Sequence, residues 1–131
     1  MPILTHDAIL QAQDIVTETV NVPLWGGDVL VRAMNGAERD LYEQSILVQK
    51  GKDTRVNMVN ARAKLVVLSV VDEKGERIFN AADVAALSKK SADSLQRVFN
   101  VAMRLSGISD DDLNELIEEN KESPFDVLPT G

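Results

Sequence analysis

The sequence has no cysteine and a single histidine, His6. Without cysteine there is no disulfide framework, thiolate zinc site, iron–sulfur cluster or cysteine nucleophile. One histidine rules out a multi-histidine metal site, and any serine triad built away from His6. Long apolar runs are also missing: none approaches the roughly 20 residues that span a bilayer. The first residues, Met1-Pro2-Ile3-Leu4-Thr5-His6-Asp7, lack a basic region followed by an apolar stretch, so no secretory signal is expected. The expected location is the cytoplasm.

What remains is ordinary globular composition. The chain has 131 residues, 44% of them apolar and 27% charged, about one domain in length. It is long enough to bury a core without covalent staples. The net charge of −7 is unevenly placed. From Gly107 onward there are eight acids and one base, Lys121, so this segment carries the whole excess. The expected division is a charge-neutral α+β domain over 1–107 and an acidic helix with a disordered tail over 108–131. A neutral body with an acidic end argues against nucleic-acid binding, which depends on neutralising phosphates.

The run from Asp14 to Val22 is rich in β-branched residues, and Val16, Val20 and Val22 share a face at period two. Pro23 ends it. Leu24-Trp25-Gly26-Gly27-Asp28 reads as a turn, and Val29 to Met34 as a second strand. Together they predict an antiparallel β-hairpin. A lone hairpin is marginal, so helices must cover one face. No strand partner for it is evident.

Four to five helices are expected. Thr5 caps a short first one. Asn35-Gly36-Ala37-Glu38 has capping-box spacing and predicts a helix from Gly36 to about Gln49, closed by Gly51. Its inner side would carry Leu41, Ser45, Ile46 and Val48, and its outer side Glu38, Arg39 and Glu43. Lys50, Lys52 and Arg55, with Arg62 and Lys64, form the basic cluster. Val56 to Val71 is read as a central helix, although Leu65–Val71 alone would suit a buried strand. Asp72–Glu76 reads as a turn, followed by a short extended piece, Arg77–Phe79. Asn80 with Asp83 caps a short helix. Ser91 opens a longer one with Leu95, Val98, Phe99, Ala102 and Leu105 on one face. Ser109-Asp110-Asp111-Asp112 opens the last, its acids at the positive helix end, with Leu113, Leu116 and Ile117 as a narrow apolar edge.

The chemistry-bearing patterns fail on inspection. A calcium loop from Asp110 would need glycine where Glu115 stands and glutamate where Lys121 stands. Gly51-Lys52 lacks the upstream glycine of a phosphate-cradling loop. Gly26-Gly27 precedes a strand, not a helix, so it is no dinucleotide fingerprint. No carboxylate pair has the apolar setting that raises a pKa. The expectation is a non-enzymatic protein without cofactor or metal. Trp25 either plugs the gap between hairpin and helices or anchors a partner. Arg32 is expected to pair with Glu18 across the hairpin rather than clamp a ligand. With Leu113, Leu116 and Ile117, Trp25 and Arg32 complete the candidate partner-binding set.

Val22-Pro23-Leu24-Trp25-Gly26-Gly27-Asp28-Val29-Leu30-Val31-Arg32, followed by Met34-Asn35-Gly36-Ala37-Glu38-Arg39-Asp40, resembles the tail assembly chaperone family of long-tailed bacteriophages and prophages. Asp72-Glu73-Lys74-Gly75, Ile78-Phe79, Asp83–Leu87 and Arg104-Leu105-Ser106-Gly107 are similar to the same family. The resemblance implies a protein of the host cytoplasm, absent from the finished virion, that binds the tape-measure protein and keeps it soluble while the tail tube forms. It also implies self-association, contact with the major tail tube protein, and a longer product made by translational frameshifting. The competing reading is a structural tail or head–tail completion subunit that stays in the particle.

Overall fold

The computed structural model describes residues 3–58 and 60–108. Thr5 caps the first helix, α1 (His6–Gln11), its hydroxyl accepting the Ala8 N–H at 3.2 Å. No residue of α1 is buried.

The expected hairpin follows as β1 (Thr17–Val22) and β2 (Gly27–Arg32), antiparallel with Val20 opposite Val29 and Glu18 opposite Val31. The strand starts later than expected: Val16 is exposed, while Val20 is half-buried and Val22 is fully enclosed. A 3-10 turn, Pro23–Trp25, connects the strands, and Gly26 leaves it at φ 83°. That conformation is nearly free for glycine and unfavourable for residues with a Cβ.

The hairpin has the third strand that the sequence did not reveal. Val70 and Val71 form β5, pairing antiparallel with β2 through Val31–Val70 and Leu30–Val71, so the sheet order is β1-β2-β5. The stretch read as one helix over Val56–Val71 is in fact divided. Its centre is α3 (Ala61–Ser69), and its last two residues are strand. Both the helical and the strand readings hold in part, because a mainly apolar run such as Leu65–Val71 satisfies either period when both surfaces are buried.

The second helix is α2 (Gly36–Ile46), opened by the expected Asn35–Glu38 capping box. It stops three residues short of the expected Gln49. Leu47 turns extended, and β3 (Leu47–Lys50) pairs with β4 (Asp53–Val56) as a separate two-stranded ribbon. Gly51, at φ 61°, therefore turns this ribbon rather than closing the helix. The inner face of α2 also differs. Tyr42, Ile46 and Glu38 are buried, whereas Leu41 is 59% exposed.

Asp72 organises the turn after β5, its carboxylate accepting the N–H groups of Lys74 and Glu76 at 2.8 and 3.1 Å. Asn80 and Asp83 form the second capping box, leading into α4 (Val84–Leu87). Ser91 caps α5 (Ala92–Leu105), whose expected apolar face is in place: Leu95, Val98, Phe99 and Ala102 are buried. Gly107, at φ 71°, ends it, and the Ile108 N–H returns to the Met103 carbonyl at 2.9 Å. Ile108 is itself part of the core.

The α+β architecture is thus the expected hairpin on a helical body. α5 lies across β1 and β2, and α3 packs on α5, α2 and α4. The core joins Val22 and Val31 from the sheet with Tyr42, Ile46, Leu65, Val66 and Val98 from the helices.

Candidate partner-binding surfaces

Arg32 lies at the end of β2, where the register sets it opposite Thr17. Glu18 lies opposite Val31, one residue away. Successive strand residues point to opposite faces, so Arg32 and Glu18 cannot meet. This corrects the expected pairing. Arg32 donates to Glu38 at 2.6 Å, and Glu18 accepts from Arg104 of α5 at 2.7 Å. Glu38, expected on the solvated side, is buried because its second oxygen accepts the Asn35 N–H at 3.0 Å. A carboxylate tolerates burial when its lone pairs are filled and a cation is adjacent. Arg32 is thereby committed inside the molecule.

Trp25 packs against the core from the connecting turn. Its indole Nε1 is buried and meets no acceptor among the described residues. Around it, Leu24, Phe79, Leu87 and Lys90 line a groove of about 380 Å³. Leu24 stands 69% exposed at its edge. A second groove, of about 200 Å³, shares Lys90 and is lined by Met58, Arg62, Ala63 and Leu95 among others. Arg62 belongs to this wall rather than to a loop cluster: it donates to Gln96 and sits 5.8 Å from the Phe99 ring centre. Lys64 likewise leaves the expected basic cluster, donating to the Ser45 carbonyl at 2.8 Å. A third groove, on the far strand, has Val29, Leu30, Val71 and Ile78 within a rim of Asp28, Asp72 and Glu73.

The segment before β1 is rich in exposed aliphatic side chains, a feature not expected from the sequence. Ile3, Leu4, Ile9, Leu10, Ile15 and Val16 are all exposed, Ile3 at 93% and Leu10 at 71%. The available signal was a helix too short to fold alone carrying more aliphatic side chains than its polar residues could offset. Leu113, Leu116 and Ile117 lie outside the described residues.

Among the described residues no group of three His, Asp or Glu could hold a metal ion, and no helix is long and apolar enough to cross a membrane. His6 is exposed, its Nδ1 2.8 Å from the carboxylate of its neighbour Asp7. Among the described residues, Tyr42 is the one titratable side chain with a clear shift. Burial pushes its pKa up to about 12 against the opposing charge of Arg62. Its hydroxyl donates to the Ala61 carbonyl at 3.3 Å, which is a packing role.

The phage tail assembly chaperone model matches residues 5–122. The chain belongs to this family. Among solved structures, that of the bacteriophage HK97 tail assembly chaperone matches with a TM-score of 0.54 and 18% identity, over 76% of this chain and 94% of that one. At that identity the likeness concerns the fold. No curated protein matches the sequence. The role of the family is chaperoning in tail assembly, a non-enzymatic role.

Proposed function

We propose that this tail assembly chaperone binds the tape-measure protein and keeps it soluble and assembly-competent while the tail tube polymerises. The observation that carries this reading is the exposed aliphatic arm over residues 3–16. Six large aliphatic side chains exposed within fourteen residues make it a candidate docking segment. A long helical client offers complementary apolar stripes, and the arm and the Trp25 groove can each receive one. Many copies act on one client, so self-association belongs to the same reading. So do residence in the host cytoplasm, absence from the finished virion, and a frameshifted longer product.

The test is co-expression with the tape-measure protein of the same phage. The client should move from the insoluble to the soluble fraction and co-purify with the chaperone. A client equally insoluble with and without the chaperone refutes the proposal. Mass spectrometry of purified particles separates it from a structural tail or head–tail completion role, which requires the chain to be present in the virion.

A further inference from the structure

The groove on the far strand differs from the other two in the sign of its rim. It measures about 540 Å³ and joins Leu30, Val71 and Ile78 to Asp28, Asp72 and Glu73. Leu30 and Val71 are paired across β2 and β5, so they share one face of the sheet, and Asp28 follows Leu30 on that face at the period of two. The other face carries Val31 and Val70 in the core. Ile78, 52% exposed, donates its N–H to the Val70 carbonyl at 3.4 Å and so stands alongside β5.

Among the described residues, none of the three acids forms an ion pair. Asp28 accepts a neutral amide hydrogen from Asn21 at 2.9 Å, and Asp72 accepts the two backbone N–H groups of its own turn. Arg32, on the same face, and Arg77 both turn to Glu38. Lys74, in the Asp72 turn, makes no ion pair. Asp28 and Glu73 lie two positions beyond the last strand pair, Leu30–Val71. Like charges gathered around an apolar surface repel one another, and a cation brought from outside relieves them.

The occupant that fits carries aliphatic side chains for Leu30, Val71 and Ile78 and Lys or Arg for the rim. The chain's own spare aliphatic stretches have the wrong sign. The exposed arm over residues 3–16 contains Asp7 and Asp14 and no Lys or Arg. Residues 109–131 contain eight acids and one base, Lys121. Charge complementarity therefore selects a different protein.

We propose that the groove between β2, β5 and Ile78 docks a cationic amphipathic segment of a partner protein, its aliphatic side chains on Leu30, Val71 and Ile78 and its Lys or Arg side chains on Asp28, Asp72 and Glu73. This deepens the chaperone reading by naming the chemistry of the client segment, and it rests on that reading for the identity of the client. The test uses a synthetic probe in place of the client, so the two proposals fail separately.

The probe is an alanine-based peptide of about 18 residues, roughly five helical turns, with leucine and lysine on one face; its counterpart has glutamate for lysine. Titration calorimetry on the full chain measures affinity. The lysine peptide should bind wild type, and Asp28→Asn with Glu73→Gln should weaken it at least about tenfold. Ile78→Ser should weaken it as well, circular dichroism showing both variants folded. Glu118→Gln with Glu119→Gln removes the same charge from the acidic end and should change affinity less than about twofold. In wild type, the peptide should shift the amide resonances of Leu30, Val71 and Ile78. A wild type that ignores the lysine peptide, a glutamate peptide that binds equally well, or groove variants that bind like wild type overturn the proposal. So does an equal loss in the Glu118 and Glu119 variant, which gives the binding to the acidic end. Shifts of those three amides on raising the concentration of the chain alone give the groove to a second copy and overturn it too.

Discussion

The Glu38 carboxylate holds the Arg32 guanidinium at 2.6 Å, tying the first turn of α2 to the end of the central strand. The same carboxylate completes the capping box, and Arg77 approaches it at 3.8 Å. Glu38→Ala should cost about 3 kcal/mol, because it removes the cap and leaves the Arg32 charge with its nearest partner gone. Glu38→Gln keeps a hydrogen-bonding group and should cost less. Urea unfolding checks both. Equal and small losses would show the pair to be ornamental.

Tyr42 makes stability depend on alkaline pH. Its folded pKa is about 12 against an ordinary 10, so the folded state resists ionisation. The contribution is complete below pH 10 and is lost as pH rises from 10 through 12, by up to about 3 kcal/mol. Tyr42→Phe should unfold with a flatter dependence over that window. Thermal midpoints between pH 9 and 11.5 would show it, and parallel curves for the two proteins would count against it.

Leu41 and Leu65 separate the two faces of the helical body. Leu65 is fully buried in α3, and Leu65→Ala should cost about 2–5 kcal/mol. Leu41 is exposed on α2, and Leu41→Ala should stay within about 0.5 kcal/mol. Denaturant midpoints that reversed this order would contradict the burial pattern.

Gly26 and Gly27 are adjacent but unequal. Gly26 lies at φ 83°, and Gly26→Ala should destabilise by about 1 kcal/mol. A Cβ at Gly27 meets nothing within 4 Å. Gly27→Ala should therefore be nearly neutral in the same unfolding assay.

Ile9→Ser with Leu10→Ser removes apolar surface that the fold does not use, since α1 buries no residue. The pair should leave the unfolding midpoint unchanged and lower the amount of tape-measure protein kept soluble in co-expression. Full retention of the client would move the docking surface elsewhere.

Local chemistry made most of the fold legible. Caps, prolines and paired glycines act within a few residues, so the hairpin and the starts of α2, α4 and α5 could be read directly. What escaped depends on distant partners. Val70 and Val71 are strand only because β2 lies beside them, and Leu47 to Val56 is a ribbon because its two halves pair. Glu38 looked solvated because polarity is visible in sequence and a partner six residues earlier, on another element, is not. The surfaces were harder still. Trp25 could be singled out as a large aromatic in a turn, but the exposure of Ile3 to Val16 is known only once the body fails to cover it.

The pairing of β2 with β5 also sets an order of events at the ribosome. The central strand leaves with one flank bare, and nearly forty further residues must follow before Val70 arrives to close it. At 5–20 residues per second that interval lasts roughly 2–8 s. The lid formed by α5 comes later still, as its last turn ends at Leu105. The sheet thus spends its own first seconds uncovered.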